Sequence, residues 1–207
     1  MEVNIMSVGL IGTNCYILSK HDEALIIDPG GDADRITRFV DEKNIRPLAI
    51  LLTHAHYDHI GALEELRREF EVDVHINEAE QHWLSDPSWN GSHKLPGGYI
   101  TASPAEKLLE EGEMAIGSFH FRILHTPGHS PGSMSFIFEE TKQIFSGDVL
   151  FQQGIGRTDL PGGDFSTVER TIKEKLYRLD DTFIVYPGHG PSTTIGFEKK
   201  NNPFIRI

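Results

Sequence analysis

The chain is poor in three things, and each shortage excludes something. Cysteine occurs once in 207 residues, as Cys15. A lone cysteine forms no internal disulfide and fits a reducing cytosol. Its neighbours Tyr16, Ile17 and Leu18 place it in a buried strand rather than at a reactive surface. Basic residues are scarce, with 19 Lys+Arg against 31 Asp+Glu and a net charge of −12. Phosphate binding needs a positive face, so no nucleic acid is expected as a partner. The acidic balance aids solubility and names no substrate. Long apolar runs are missing too. None approaches a membrane span, and Met1–Asn14 lacks the basic-then-apolar layout of a signal peptide. The expectation is a cytoplasmic protein with no membrane partner.

What is present is the composition of a globular domain, 38% apolar and 24% charged, with the length of a single domain over 1–207. Its densest chemistry is Thr53-His54-Ala55-His56-Tyr57-Asp58-His59, directly after the apolar run Leu48–Leu52. An extended strand puts i and i+2 on one side, so His54 and His56 can grip one ion. Asp58 and His59 follow where the chain turns and can face a second. Imidazole and carboxylate suit zinc, iron or manganese. Histidines also gather by chance on exposed loops, but a cluster at the carboxyl end of a buried strand is in the right place for a site.

Strand and helix patterns alternate in the first half. Asn14–Leu18, Ala24–Ile27, Leu48–Leu52 and Val72–Ile76 read as strands. Asp32 or Asp34 is placed to cap a helix bearing Ile36, Phe39 and Val40, and Ile60, Leu63, Leu66 and Phe70 recur at helical spacing. Glu78–Leu84 suggests a short helix. Ser85–Ser103 reads as a long loop, with Trp89 and Tyr99 either bordering a pocket or pinning the loop down. Later strands are expected at Ser118–Leu124, Met134–Phe138, Gln143–Phe145 and Phe183–Tyr186. A final helix carries Phe165, Val168, Ile172, Leu176 and Leu179 on one stripe. The halves echo each other, Ile50–His54 resembling Ile123–Pro127, which suggests an α/β architecture of two packed sheets with helices outside.

Three further segments join a strand to a glycine turn and a potential ligand: Thr126-Pro127-Gly128-His129, Phe145-Ser146-Gly147-Asp148 and Tyr186-Pro187-Gly188-His189-Gly190. Glycine lets the backbone turn sharply and bring a ligand close to an ion. H-x-H-x-D-H followed by T-P-G-H, S-G-D and P-G-H-G in this order resembles the metallo-β-lactamase superfamily, essentially from end to end of the chain. The resemblance implies a four-layered αββα sandwich of two mixed sheets. It also implies that His54, His56 and His129 hold one metal, that Asp58, His59 and His189 hold a second, and that Asp148 bridges both. The other six histidines fit no ligand position.

Within the superfamily, Asp28-Pro29-Gly30, His125–His129, Gly147–Phe151 and the tail Phe197–Phe204 look like the glyoxalase II branch, the hydroxyacylglutathione hydrolases. True β-lactamases lack a bridging aspartate at the Asp148 position, which argues against antibiotic hydrolysis as the native role. The resemblance implies a hydroxide shared by two divalent ions, zinc first and iron or manganese as alternatives, attacking a small thioester. Asp58 would orient that hydroxide and take its proton. Thr53, Asp28 and Ser146 are candidates to fix the imidazoles. Two departures concern glutathione. The family's glutathione-contacting helical domain has no counterpart in these residues, and Arg157, Asp159 and Pro191 stand where that family shows a lysine and tyrosines. Arg157 can bind a substrate carboxylate or pair with Asp159 or Asp164. Rival readings are a mononuclear iron persulfide dioxygenase, whose sequences share a Gly-Arg-Thr-Asp stretch like Gly156–Asp159, a nuclease or lactonase, and a non-enzymatic metal-binding module.

Overall fold

A computed structural model describes residues 1–206. The chain divides into two compact units, Met1–Leu109 with Ala115–Phe119, and Glu110–Met114 with the chain from His120 on.

The first unit is built on the sheet β1 (Glu2–Val8), β2 (Thr13–Lys20), β3 (Glu23–Ile27), β4 (Arg46–Leu51), β5 (Asp73–Asn77) and β6 (Lys107–Leu109), in that order. The pairs β1–β2 and β2–β3 are antiparallel, and the rest are parallel. Alternation along the strands sends Cys15, Ile17, Ala24, Ile26, Ile50, Val74 and Ile76 into one core. The helices α1 (Ala33–Lys43) and α2 (Leu63–Phe70) add Ile36, Val40, Leu63 and Leu66 to it. The opposite face is buried as well, since Tyr16, Leu18, Leu25, Ile27 and Leu51 are all at most 2% exposed. Burial on both faces explains why these strands read as unbroken apolar runs. Asp32 precedes α1 as expected. However, its carboxylate takes the Gly9 amide at 3.2 Å and makes no side-chain cap.

The segment expected as a loop over 85–103 is partly structured. It holds a helical turn, α3 (Pro87–Asn90), capped by Asp86 at the Ser88 amide, and a 3-10 turn, Ser92–Lys94. Asn90 is buried there, and its side chain donates to the carbonyls of Trp83 and Ile100. A polar residue with satisfied hydrogen bonds is invisible to hydrophobic periodicity, which is why the pattern of the sequence does not show this order. Trp89 stacks on Trp83 with ring centroids 5.6 Å apart, while Tyr99 is 72% exposed. The pairing of Trp89 with Tyr99 is therefore corrected to Trp89 with Trp83.

The second sheet takes β7 (Gly112–Ile116), β8 (Phe119–His125), β9 (Met134–Phe138), β10 (Gln143–Gly147), β13 (Ile184–Pro187) and β14 (Thr193–Thr194), in the spatial order β14-β13-β10-β9-β8-β7. Between β10 and β13 lie a small hairpin, β11 (Leu150–Phe151) and β12 (Gly154–Ile155), and the helix α4 (Phe165–Glu174). The expected stripe is met in part: Val168, Ile172 and Leu176 bury against Ile137, Ile144 and Val185, but Phe165 is 46% exposed, and α4 ends at Glu174 with Leu176 in the 3-10 turn that follows. Asp164 caps α4 at the Thr167 amide. That helix is not the last. A fifth, α5 (Ile195–Asn201), starts at a Thr194 cap. Its Glu198, fully buried, accepts from the Gln153 amide, Thr193 Oγ1 and Asn202 Nδ2, and Asn202 donates in turn to the Gly154 carbonyl. Glu198 and Asn202 so clasp the turn of the β11–β12 hairpin. Among the described residues no helix is long and apolar enough to cross a membrane.

Candidate metal centre

Topology gathers the candidate ligands at strand ends. In the first unit β3 and β4 run parallel, so Asp28 and His54 leave the sheet at the same edge, tied by the Asp28 amide to the Leu51 carbonyl. In the second, β8 and β10 are both antiparallel to β9, and β13 is parallel to β10. All three therefore run the same way, and His129, Asp148 and His189 follow their carboxyl ends, where ligand sites collect in sheet proteins.

The first unit brings His54, His56, Asp58 and His59 together. The ring of His54 lies 4.8 Å from that of His56 and 4.1 Å from that of His59, centroid to centroid. All three histidines are at most 5% exposed. Asp28 is the hub behind them. Its Oδ1 accepts the Thr53 amide at 2.8 Å, and its Oδ2 accepts the Thr53 hydroxyl at 2.6 Å and His59 Nδ1 at 2.9 Å. Because the Thr53 hydroxyl hydrogen goes to Asp28, Thr53 Oγ1 is left to accept from His54 Nδ1 at 3.0 Å. That relay assigns both tautomers: Nδ1 carries the proton, and Nε2 is the ligand atom. Asp28, His54 and His59 each offer an atom within 4.8 Å of the others. With three donors already on its carboxylate, Asp28 is a positioning residue rather than a ligand. It holds this role at φ 51°, a left-handed conformation that costs a non-glycine residue about 1–3 kcal/mol.

Asp58 is steadied by Thr13, whose hydroxyl donates to Oδ2 at 2.9 Å, and the same oxygen lies 3.3 Å from His59 Nε2. A side chain on Gly30 would meet the Asp58 carbonyl at 1.8 Å, so the backbones close on each other only because that residue is glycine. The Ala55 amide, between the two paired histidines, donates to Glu80 Oε2 at 2.6 Å.

The second unit brings His129, Asp148 and His189 together. Asp148 Oδ2 stands 3.7 Å from His129 Nε2 and 3.6 Å from His189 Nε2, so one oxygen addresses both rings almost equally. The anchor of His129 is a backbone atom, the Arg157 carbonyl, which accepts from Nδ1 at 2.8 Å. That carbonyl can approach because Gly156 is bare. A Cβ there would sit 1.7 Å from the Asp148 carbonyl and 3.0 Å from His129 Nδ1. Phe151, on the clasped hairpin, sets its ring edgewise to His189 at 6.3 Å.

Of the expectations about supporting residues, that for Ser146 changes, and of those for Arg157 the pair with Asp159 is the one formed. Ser146 turns its hydroxyl to the Gly147 and Leu150 carbonyls rather than to an imidazole. Arg157 forms a bidentate pair with Asp159, Nε and one terminal nitrogen each 2.7 Å from a carboxylate oxygen, and both side chains are well exposed. Sequence reasoning missed Thr13, Glu80 and the Arg157 carbonyl. Gly156 was the one available signal. Cys15 is fully buried as expected, and desolvation, followed by the charge of Asp28, pushes its thiol well up.

The pattern of the metallo-β-lactamase superfamily matches residues 8–189, and the chain belongs to that superfamily. It has the superfamily's α/β fold of two mixed sheets with flanking helices. A probable metallo-hydrolase of Bacillus subtilis, YqgX, is 50% identical over 99% of this chain and 98% of its own length. The hydroxyacylglutathione hydrolase GloC of Haemophilus influenzae is 40% identical, again over 99% of this chain and 98% of its own. Among solved structures, that of the BLEG-1 B3 metallo-β-lactamase is 48% identical, covers 99% of both chains and superposes with a TM-score of 0.96.

Proposed function

We propose that the protein is a binuclear metal-dependent hydrolase that cleaves a small thioester in the manner of glyoxalase II. In this reading His54, His56 and His129 hold one ion, Asp58, His59 and His189 hold the other, and Asp148 is shared. The observation that carries it is the treatment of the imidazoles: His54, His59 and His129 each engage Nδ1 with a protein oxygen, which turns Nε2 to ligation. Neutral imidazole and carboxylate fit divalent zinc, with iron or manganese as alternatives. Ions held by these residues would supply a water that ionises near neutral pH and would polarise a carbonyl beside it.

The chain's own residues do the rest. Asp58, steadied at Oδ2 by Thr13, orients the attacking water and takes its proton at Oδ1. Asp28 keeps the His59 tautomer fixed. Arg157 exchanges Asp159 for a carboxylate of the substrate, since the fork it already presents is the geometry such a group takes. The hydroxyacylglutathione hydrolase relative supports a thioester, and the thiol is left open.

A second reading, persulfide oxidation at a single iron, draws on the Gly156-Arg157-Thr158-Asp159 stretch. The test is a panel of a thioester, a persulfide and, because of the β-lactamase relative, a β-lactam, run on protein of measured metal content. Two metals with thioester cleavage independent of oxygen support the hydrolase. One iron with oxygen uptake replaces it by the dioxygenase, and β-lactam turnover alone replaces both.

A further inference from the structure

One short element grips the paired histidines without entering the chemistry above. In the 3-10 segment Glu78–Ser85, Glu80 is fully buried and takes the Ala55 amide at 2.6 Å. Three residues on, Trp83, 1% exposed, sets its ring 5.6 Å from that of His56 at 45°. Residues i and i+3 eclipse in a 3-10 helix, so both groups project from one side. The segment is itself anchored. Asn90 donates to the Trp83 carbonyl at 3.0 Å, the Ala102 amide donates to that of Leu84 at 2.7 Å, and Trp89 stacks behind Trp83. Ala55 is the residue whose two peptide planes set the directions of His54 and His56, so holding its amide aims both side chains.

We propose that Glu80 and Trp83 are positioning residues for metal, locking the Ala55 peptide and the His56 ring so that the two imidazoles meet an ion without reorganisation. The proposal rests on the reading of His54 and His56 as ligands. Residues 78–102, which carry no candidate ligand, then serve as the buttress of the H-x-H pair.

The test is zinc affinity of the metal-depleted full chain, measured by competition with a chromophoric chelator. The variants are Glu80→Ala, Glu80→Gln, Trp83→Leu and His56→Ala, with Ile36→Val as a control that weakens the core in α1. Glu80→Ala and Trp83→Leu are expected to lose roughly 10–100-fold in affinity, the usual range for groups behind a ligand. Glu80→Gln keeps an oxygen for the Ala55 amide and recovers most of it, and Ile36→Val binds as the parent does despite a lower melting temperature. Should Glu80→Ala not fold, Trp83→Leu against Ile36→Val carries the test. Parental affinity in Glu80→Ala and Trp83→Leu overturns the proposal while a loss in His56→Ala leaves the ligand reading standing. Equal losses in Glu80→Gln and Glu80→Ala, or in the control, also overturn it. A parent that takes up no zinc overturns both.

Discussion

In the first unit four candidate ligands fall within six consecutive residues, His54 to His59, and other side chains hold them: Asp28 and Thr53 behind His54 and His59, and Thr13 on Asp58. In the second unit the three ligands arrive from three separate strands, and the anchor of His129 is backbone, the Arg157 carbonyl brought close by the bare α-carbon of Gly156. A short contiguous run cannot aim each side chain by its own strand, so it needs polar partners to set ring orientation. Ligands delivered one per strand are already aimed by the sheet, and there glycine's closeness of approach matters more.

Substitutions in the two units test these two modes of support. Removing one ligand from each half, His56→Ala and Asp148→Ala, should bring thioester hydrolysis to background with circular dichroism unchanged, and full activity in either purified variant ends the binuclear reading. Gly156→Ala comes next. Its methyl meets the Asp148 carbonyl, so the variant should lose most activity and about 1–3 kcal/mol of stability in chemical denaturation, as overpacked sites do. Asp28→Asn keeps one acceptor oxygen where three donors converge, so metal affinity should fall about 10–100-fold in a chelator titration. If Gly156→Ala is silent and Asp28→Asn severe, both halves are held by side chains and the contrast is wrong.

Arg157→Ala sharpens it further. The carbonyl that orients His129 survives the substitution, so kcat should hold while KM rises roughly tenfold through loss of uniform binding. A fall in kcat with KM unchanged would place the guanidinium in the chemistry instead. The smallest effect belongs to Cys15. Burial raises its pKa, so the thiolate is absent near neutral pH, and iodoacetamide should leave the folded protein unlabelled by mass spectrometry.

Much of this was legible because it depends on spacing. His54 and His56 alternate about Ala55, the three glycine turns each follow an apolar strand, and Val168, Ile172 and Leu176 keep helical period, so the structure places them where the sequence does. The rest depends on groups that leave no pattern. Glu80 sits in the polar run Asn77–His82 and reads as a surface residue, yet it is fully buried and takes the Ala55 amide. Every residue has a carbonyl, so nothing in the Arg157 side chain announces what its backbone does. The helix α5 escapes a reading by period because Gly196, Lys199, Lys200 and Asn201 dilute its apolar face, and its hold on the fold is the polar network at Glu198.

The clasp made by Glu198 and Asn202 lies later in the chain than every candidate ligand. All seven candidate ligands lie at or before His189, so a chain arrested shortly after that point carries the whole ligand set. It still lacks the hydrogen bonds to Gln153 and Gly154 that hold the hairpin bearing Phe151 against His189. Domains form from the amino end as the ribosome delivers them, and here the first unit's ligands are available long before that clasp exists. A proteolytic product trimmed before residue 198 should therefore keep an intact His54–His59 run and a slackened His189, a chain that holds every ligand and positions only some of them.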